Sequence, residues 1–546
     1  LTELNQRGNL VIRQVGRAYF SLKLMIAVSP QVGRKLENLS RKTVAWLGVA
    51  ILAWLVATLP LRMVAGAIGA ATLGILLLRW PWLIWLGLAI ALPVSSGSKI
   101  GPLSLTDIGL AAALALWLLD GVRRRTLRLT FSPLVGAVLG YVAALILSLI
   151  GALNLGEALA EVVKWIQVAL VLLVLRQMMP RQQTHWLVAA LLLGGVGQAL
   201  LGLYQFIFQI GPEWFIILGR FMRASGSFGQ PNPYAGYLGL CLPVAASLAL
   251  WAWQRLWQPV DQSMGQSMAK TATVSFLWWA LFYTAATILI GAGLLASWSR
   301  GGWMGAAGGL AIVLTLRSRQ AMLAGLAGTL LLVVTMLVNS ALPQWIPAPI
   351  AARLQDIPAY FGMTDVLNQP VTDENFAVIE RIAHWVAALR MWEQAPWVGI
   401  GPGNYATIYP TVRIPRWEEA LGHAHNIYLN TLAESGLIGF GMFLLIWLVA
   451  IRWTWRQHMI ARRVNADWHD SWRAALAIGL LGVIGHSLVH NFFDNLFVQG
   501  IYLQVAFWLA ALAVAVPDQT LVIASLNSAG RLSQASKNKE SNGQTI

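Results

Sequence analysis

The chain has 546 residues, 57% of them hydrophobic and 11% charged, with 27 Trp and a formal net charge of +16 at pH 7. So apolar a composition excludes a single water-soluble core and places most of the chain in lipid. The lone cysteine, Cys241, sits in an apolar run and leaves no basis for disulfides or cysteine metal sites.

In chain order, residues 1–42 form a basic segment read as cytoplasmic. Within it, Leu10 to Val28, with Arg13, Arg17 and Lys23, has the pattern of a helix lying on the inner leaflet. The apolar stretch Leu24–Val28 is too short for the core of a cleavable signal peptide. Residues 43–338 then hold eleven apolar segments, at 44–60, 62–78, 81–95, 105–120, 133–150, 157–176, 185–208, 233–253, 274–297, 302–316 and 320–338. Residues 425–516 hold three more, at 436–453, 472–490 and 496–516. Spanning a bilayer takes roughly 20 mostly apolar residues. Several segments are short, so fourteen spans are the reading and twelve the alternative.

Basic residues gather in cytoplasmic connections, which tests the count. The N-terminal segment, Arg79, Arg123–Arg125 with Arg128, Arg176 and Arg181, Arg255 and Lys270, Arg317 and Arg319, the run from Arg452 to Arg473, and the tail carry 27 of the 38 basic residues, all on one side. Two spans instead of three in 43–95 would put Arg123–Arg125 outside. Both termini are therefore expected in the cytoplasm, and anionic headgroups account for the net charge without nucleic acid.

Residues 339–424 read as one large extracytoplasmic loop. It opens with Pro343, Pro347, Pro349 and Pro358 in an extended or turning stretch. Asn375 to Glu393 then reads as an amphipathic helix across the bundle mouth, with Ile379, Ile382, Trp385, Val386, Leu389 and Trp392 at helical spacing. The glycine cluster Gly399–Tyr405 lacks the Lys and Ser/Thr of a phosphate loop and is not a nucleotide cradle. The tail, 517–546, is polar and expected to be disordered in the cytoplasm. The fold class is an all-α polytopic membrane bundle of about 12–14 transmembrane helices with one large extracytoplasmic loop.

Several polar groups fall on the outer face. Arg300 begins a short outside turn and is followed by glycines that let other groups approach the backbone closely; the bland alternative is an arginine snorkelling to headgroups. Arg223 and Arg220 precede a Gly/Pro/Asn tract that includes Asn232, and either arginine could point inward. His423 and His425 compete as proton acceptors; Asn426 follows directly, placed to orient a ring or a sugar hydroxyl, and Glu434 opens the next span. His486, His490 and Asp494, at i, i+4 and i+8, share a helical face; this is metal-ligand spacing, but with no fourth ligand evident they read as a polar pocket wall. Glu157, Glu161 and Lys164 share a face within a span, either as a structural ion pair or as the groups of a transporter. No Asp-x-Asp motif is present to hold a cation on a nucleotide-sugar, and neither a metal nor a cofactor is expected.

Four tracts resemble the O-antigen ligase superfamily: Gly226-Ser-Phe-Gly-Gln-Pro-Asn232, Ser297-Trp-Ser-Arg-Gly-Gly302, Pro396-Trp-Val-Gly-Ile-Gly-Pro-Gly-Asn404, and His425-Asn426 with Leu429, Glu434 and Gly436. The resemblance implies an inverting, metal-independent transfer of a polyprenyl-pyrophosphate-linked glycan to an acceptor hydroxyl at a bacterial plasma membrane. It implies Arg223 and Arg300 as pyrophosphate-binding arginines and His425, the histidine directly before Asn, as general base. Asn232, Asn404, Asn426, Glu434, His490, Asp494 and, as the alternative to Arg223, Arg220 are expected to bind substrate. The expected partners are the lipid-linked donor, membrane lipids and a glycan, lipid or protein acceptor. The superfamily also holds polysaccharide polymerases, protein O-oligosaccharyltransferases and cyanobacterial proteins once proposed as bicarbonate transporters. The Ser-Arg-Gly-Gly-Trp tract is similar to that last branch.

Overall fold

The computed structural model describes residues 60–95, 98–101, 103–127, 129–217, 219–257, 266–320, 370–371, 375–464 and 468–516, with a few more in 43–50 and 322–327. The basic segment, the span at 320–338, the Pro-rich start of the long loop and the tail lie outside the described residues, as does most of the first expected span. The fold divides into two units, Leu1–Arg79 and Trp80–Ile546. In the first, the described helix is α1, Leu61–Arg79.

The second unit is an all-helical bundle. Its first half contains α2 (Leu83–Ser95), α3 (Leu105–Arg124), α4 (Pro133–Ser148), α5 (Leu155–Met178) and α6 (Thr184–Phe208). Then come α7 (Pro231–Leu256), α8 (Gln266–Ala296) and α9 (Arg300–Arg317). Two shorter helices, α10 (Phe376–Gln394) and α11 (Tyr405–Val412), precede α12 (Ile427–Val464), α13 (Trp468–Phe493) and α14 (Ile501–Ala515). Strand is confined to two hairpins among the described residues, β1 (Lys99–Ile100) with β2 (Leu103–Ser104), and β3 (Ile216–Ile217) with β4 (Phe221–Met222).

The helix starts are written in the sequence. Ser104 and Asp107 form a reciprocal capping box on α3, Ser132 caps α4 ahead of Pro133, and Asn154 and Ser299 cap α5 and α9. Nine helices among the described residues, α1 included, are long and apolar enough to cross a membrane, and α2 and α14 are shorter apolar helices. Helix α9 is less apolar because of its glycines and terminal arginines, yet its Gly301, Gly302, Gly305 and Gly309 are buried against α7 and α13.

The connections alternate between the two ends of this unit. At one end, Ser148 Oγ donates to the carbonyls of Val398 and Glu434, Asn154 pairs with Asn404, and Ala224 N–H donates to Ala296 O. At the other, Arg181 reaches the Ala515 carbonyl and Arg317 reaches Gln254 and the Ser247 carbonyl. The basic groups at Arg123–Arg125, Arg176, Arg181, Arg255, Arg317 and Arg452–Arg473 therefore all stand at the end opposite Arg300 and His425. That is the alternation expected from the parity of the basic loops.

The amphipathic helix forms where expected, as α10, with Ile379 of the expected stripe buried and Ile382 and Trp385 packed against the same cluster, but the inward face extends to residues beside that stripe. Ala383, His384, Ala387, Ala388 and Met391 are buried, whereas Leu389 is exposed. Ala387, Ala388 and Met391 meet Ala424 and Ala433 at the start of α12, and Val378, Ile379 and Ala383 meet Trp417 and Phe493. The small residues Ala383, Ala387 and Ala388 permit that close approach beside the larger Val378, Ile379 and Met391.

Helix α12 is interrupted at Gly436, whose φ of 61° breaks its regular backbone hydrogen bonding. The loop after α10 fills the gap: Ile400 and Gly401 N–H groups donate to Ala433 and Glu434 carbonyls, and Leu437 and Ile438 N–H groups donate to Pro396 and Trp397 carbonyls. Gly399 (φ 74°) and Gly436 each lie where a Cβ would overlap the partner backbone. The glycine cluster is thus a docking surface for a broken helix.

Two imidazoles in α13 also depend on missing side chains opposite them. A Cβ on Gly239 of α7 would overlap the His486 ring, one on Gly305 would sit 2.8 Å from His486 Nδ1, and one on Gly301 would sit 2.7 Å from His490 Cδ2. Gly239→Ala should therefore lower bundle stability by ~1–3 kcal/mol, the usual cost of overpacking. The check is thermal unfolding in detergent, where adding His486→Ala should restore part of the loss. An unchanged unfolding midpoint for Gly239→Ala would contradict the packing.

Candidate active site

Two neighbouring turns build the site's cationic side. Ser297-Trp-Ser-Arg reverses the chain between α8 and α9: Ser297 Oγ accepts from Ser299 N–H, and Ser299 Oγ accepts from Gly302 N–H. This leaves Arg300 at the first position of α9, only 8% exposed. The β3–β4 hairpin lies alongside, and Arg223 crosses to donate from Nε to the Ser297 carbonyl (3.0 Å) and from Nη2 to Asn232 Oδ1 (3.2 Å). Arg220 is exposed and lies 5.4 Å over the Phe221 ring, so of the two candidates Arg223 is the one turned inward.

Arg223, Asn232, Arg300 and Arg381 line one pocket together with His490 and Asp494. Arg381 comes from α10 and was not among the expected residues; its signal was its place three positions before buried His384 on an amphipathic helix. Three guanidinium groups and a helix N-terminus are the donors that suit an anion with several oxygens. The buried His490 also lines this pocket, and its ring nitrogen Nε2 has no hydrogen-bond partner. Such a group is left unsatisfied only at a cost, and a bound ligand would satisfy it.

The segment after α13 joins this pocket to His425. His425 Nδ1 lies 3.1 Å from Asp494 Oδ1, and the same oxygen accepts from Asn495 N–H at 2.8 Å. Burial works against a charge on Asp494, but the hydrogen bond and charge of His425, then His423 and Arg381, hold it well below the usual carboxylate range. An ionised carboxylate only accepts, so His425 Nδ1 carries the proton and Nε2 presents the lone pair. His425 has φ 50°, a left-handed conformation that a non-glycine residue adopts only when its surroundings impose it. Those surroundings are on hand: His423 Nδ1 accepts from His425 N–H, Asn430 Oδ1 accepts from Ala424 N–H, and the His384 ring meets the His425 ring edge-on at 5.9 Å. His384 is itself held by Tyr405, whose hydroxyl donates to the His384 carbonyl and so must accept from Nδ1–H at 2.9 Å.

Three expected substrate-binding residues make framework hydrogen bonds, and a fourth stands apart from the pocket. Asn404 is fully buried and spends its amide on Asn154 and the Pro402 carbonyl. Asn426 Oδ1 accepts from Tyr428 and Leu429 N–H groups, which caps α12 rather than orienting the His425 ring. Glu434 accepts from Tyr405 N–H at the start of α11, turned away from the arginines. Arg220 lies outside the pocket altogether. Asn is an ordinary capping residue, and Asn426 stands directly before α12, a position visible in the sequence.

His486, His490 and Asp494 do not converge on one point: His490 Nδ1 lies 3.4 Å from His486 Nε2, while Asp494 turns to His425. Among the described residues, the group whose ligand atoms do converge is His423, His425 and Asp494, all within 4.8 Å of one another.

A second polar pocket lies between α4, α5 and α12, lined by Tyr141, Glu161, Lys164, Trp165, Glu434 and Asn495 among others. Asp494 belongs to the first pocket and Asn495 to this one, so the segment after α13 runs between them. Lys164 is paired with Glu161 and donates to the Phe497 carbonyl at 3.1 Å, which ties that segment to α5. Glu157 is exposed and takes no part in the pair.

A membrane helical bundle with an anion pocket at one end, beside a carboxylate-oriented histidine, is the class that fold and site define. Residues 285–444 match the family model described as O-antigen ligase, so the chain carries the domain of the superfamily that its motifs resemble. The matched segment contains Arg300 and His425 but ends before Asp494. No curated protein matches the chain.

Two rings beside the site tie its stability to pH. Burial is the largest cause that brings both His384 and His423 from 6.5 to about 4, with repulsion from His425 next. The folded values lie below the unfolded ones, so the unfolded chain takes up protons first and stability is lost as pH falls from about 6.5 to about 4, with no further loss from these rings below that. The apparent melting temperature, followed from pH 7.5 to 4, should fall through that window, and His423→Gln should flatten part of the slope. A midpoint independent of pH across it would contradict the neutral rings.

Proposed function

We propose that the protein is a membrane glycan ligase, transferring an oligo- or polysaccharide from a polyprenyl-pyrophosphate carrier to an acceptor hydroxyl. The observation that carries this reading is one pocket that joins three arginines to Asp494, the partner of His425. The pyrophosphate sits among Arg223, Arg300 and Arg381 with Asn232 and His490, and the polyprenyl tail lies in lipid. His425 Nε2 takes the proton of the acceptor hydroxyl as its oxygen attacks the anomeric carbon. The bond to the pyrophosphate oxygen breaks on the opposite face, which inverts the configuration. The arginines stabilise the departing charge, a task they perform without a metal. Asp494 holds the base in the right tautomer, as the carboxylate of a Ser-His-Asp triad does. The acceptor, whether glycan, lipid or protein, distinguishes O-antigen ligation from polymerisation and from protein glycosylation within the superfamily.

The variants separate these roles. His425→Ala should insert and bind donor normally but lose ~10²–10⁴-fold in single-turnover transfer. Asp494→Asn should fall in the same range through loss of the tautomer. Arg300→Lys keeps the charge but not the planar fork, and should weaken donor binding or pyrophosphate departure. His423→Ala should cost much less. Near-normal transfer by His425→Ala beside a dead His423→Ala would move the base by two residues, and normal transfer by all four would refute the ligase reading.

With the positive-inside rule, this reading puts the basic end in the cytoplasm of a bacterium, the pocket on the outer face of its plasma membrane and both termini inside. A reporter fused after Arg125 should be cytoplasmic and one inserted near Arg416 should be exported. Both on the same side would undo the placement.

A second reading, a solute or anion transporter, draws on the polar pocket around Glu161 and Lys164. Reconstituted vesicles separate the two: a transporter gives flux without lipid-linked donor, and a ligase gives product without a gradient.

A further inference from the structure

The turn His423-Ala-His425 meets the end of α13 in a way that the transfer reaction does not require. His423 and His425 approach with ring centroids 4.4 Å apart, and both rings remain partly open to solvent. Asp494, on a different element, stands 3.1 Å from His425, and ligand atoms from all three residues lie within 4.8 Å of one another. Asn430 fixes the turn through Ala424 N–H, and Asn495 N–H fixes the carboxylate. The three groups are thus held in place by hydrogen bonds to their own backbone surroundings. His423 accepts from His425 N–H at Nδ1, so Nδ1 carries the ring's lone pair, and a cation bound there would take the place of that N–H.

We propose that His423, His425 and Asp494 form a binding site for a zinc-type divalent cation, and that filling it silences the enzyme. The second half of this inference rests on the ligase reading above, in which His425 is the base. Two imidazoles and one carboxylate are the donor set that Zn²⁺ takes, whereas Mg²⁺ and Ca²⁺ prefer all-oxygen sites. Zinc–ligand bonds of roughly 2.0–2.2 Å require the three donors to close in slightly, which ring rotation in a solvent-accessible turn allows. Metal ligation needs unprotonated imidazole, so binding should weaken as pH falls. A fourth position is left to water.

Coordination removes the base whichever nitrogen of His425 is used. At Nε2 the metal occupies the lone pair that would receive the acceptor proton. At Nδ1 it takes that nitrogen's lone pair as the single ring proton, until then shared with Asp494, moves through solvent to Nε2. Either way no nitrogen can accept a proton. Because the cation is an inhibitor here and not a participant, chelator alone should leave transfer unchanged.

The test uses the full chain in nanodiscs after treatment with chelator. Zn²⁺ is titrated calorimetrically, and Co²⁺ is followed by its visible absorption, which reports ligand number. One equivalent should bind in the micromolar range. His423→Gln and Asp494→Asn should each weaken binding at least tenfold, while His185→Gln, remote on α6, should not. Transfer should be lost at saturating Zn²⁺ and recovered with chelator. Absence of stoichiometric binding, or binding retained by both His423→Gln and Asp494→Asn, would overturn the site while leaving the ligase reading intact. Binding lost in those variants but with full transfer in saturating Zn²⁺ would overturn the inhibition and, with it, the role of His425 as base.

Discussion

The hydrogen bond between His425 and Asp494 joins two parts of the chain, 69 residues apart, that arrive at the same end of the bundle by different routes. His425 stands before the first turn of α12 and Asp494 directly after the last turn of α13. Their contact therefore exists only if both helices end at one level and the intervening chain returns in register. The same contact sets which ring nitrogen carries the proton, which keeps Asp494 ionised and makes its neighbours matter chemically. Asp494 in turn lines the pocket of Arg223, Arg300 and Arg381, so the fate of one carboxylate couples the proton acceptor to the anion pocket.

Much of the remaining architecture holds those two ends at one level. The broken start of α12 is sealed by backbone hydrogen bonds from the loop that follows α10, at Gly399 and Gly436, where no side chain fits. Helix α13 is held against α7 and α9 through imidazoles seated on glycines, and Lys164 ties the chain after Asp494 to α5. None of these groups need touch a substrate. They keep the positions of those that do within the narrow tolerance that proton transfer and charge stabilisation demand.

The sequence made the membrane class legible because length, apolarity and basic-loop parity each constrain it separately, and the parity agrees with the end at which each arginine group stands. It also showed Arg223, Arg300 and His425, because cationic groups and histidines on otherwise neutral connections are conspicuous. Less could be learned about Asn404, Asn426 and Glu434. An amide or a carboxylate at a helix start can cap that helix or bind a sugar, and only the neighbouring N–H groups decide. The role of Asp494 was hidden for a different reason. Its spacing from His486 and His490 suggested a shared helical face, but it lies one residue past the end of α13, where the face no longer applies. Arg381 and His384 were obscured because they lie beside the stripe that the large apolar residues of α10 mark, not on it.

The most direct test of the account is a structure of the protein in nanodiscs bound to undecaprenyl pyrophosphate. The account predicts diphosphate density among Arg223, Arg300 and Arg381, with an oxygen near His490 Nε2, the prenyl chain leaving toward lipid, and His425 still bonded to Asp494. Diphosphate bound instead beside Lys164 and Glu161, or at the basic end of the bundle, would contradict it.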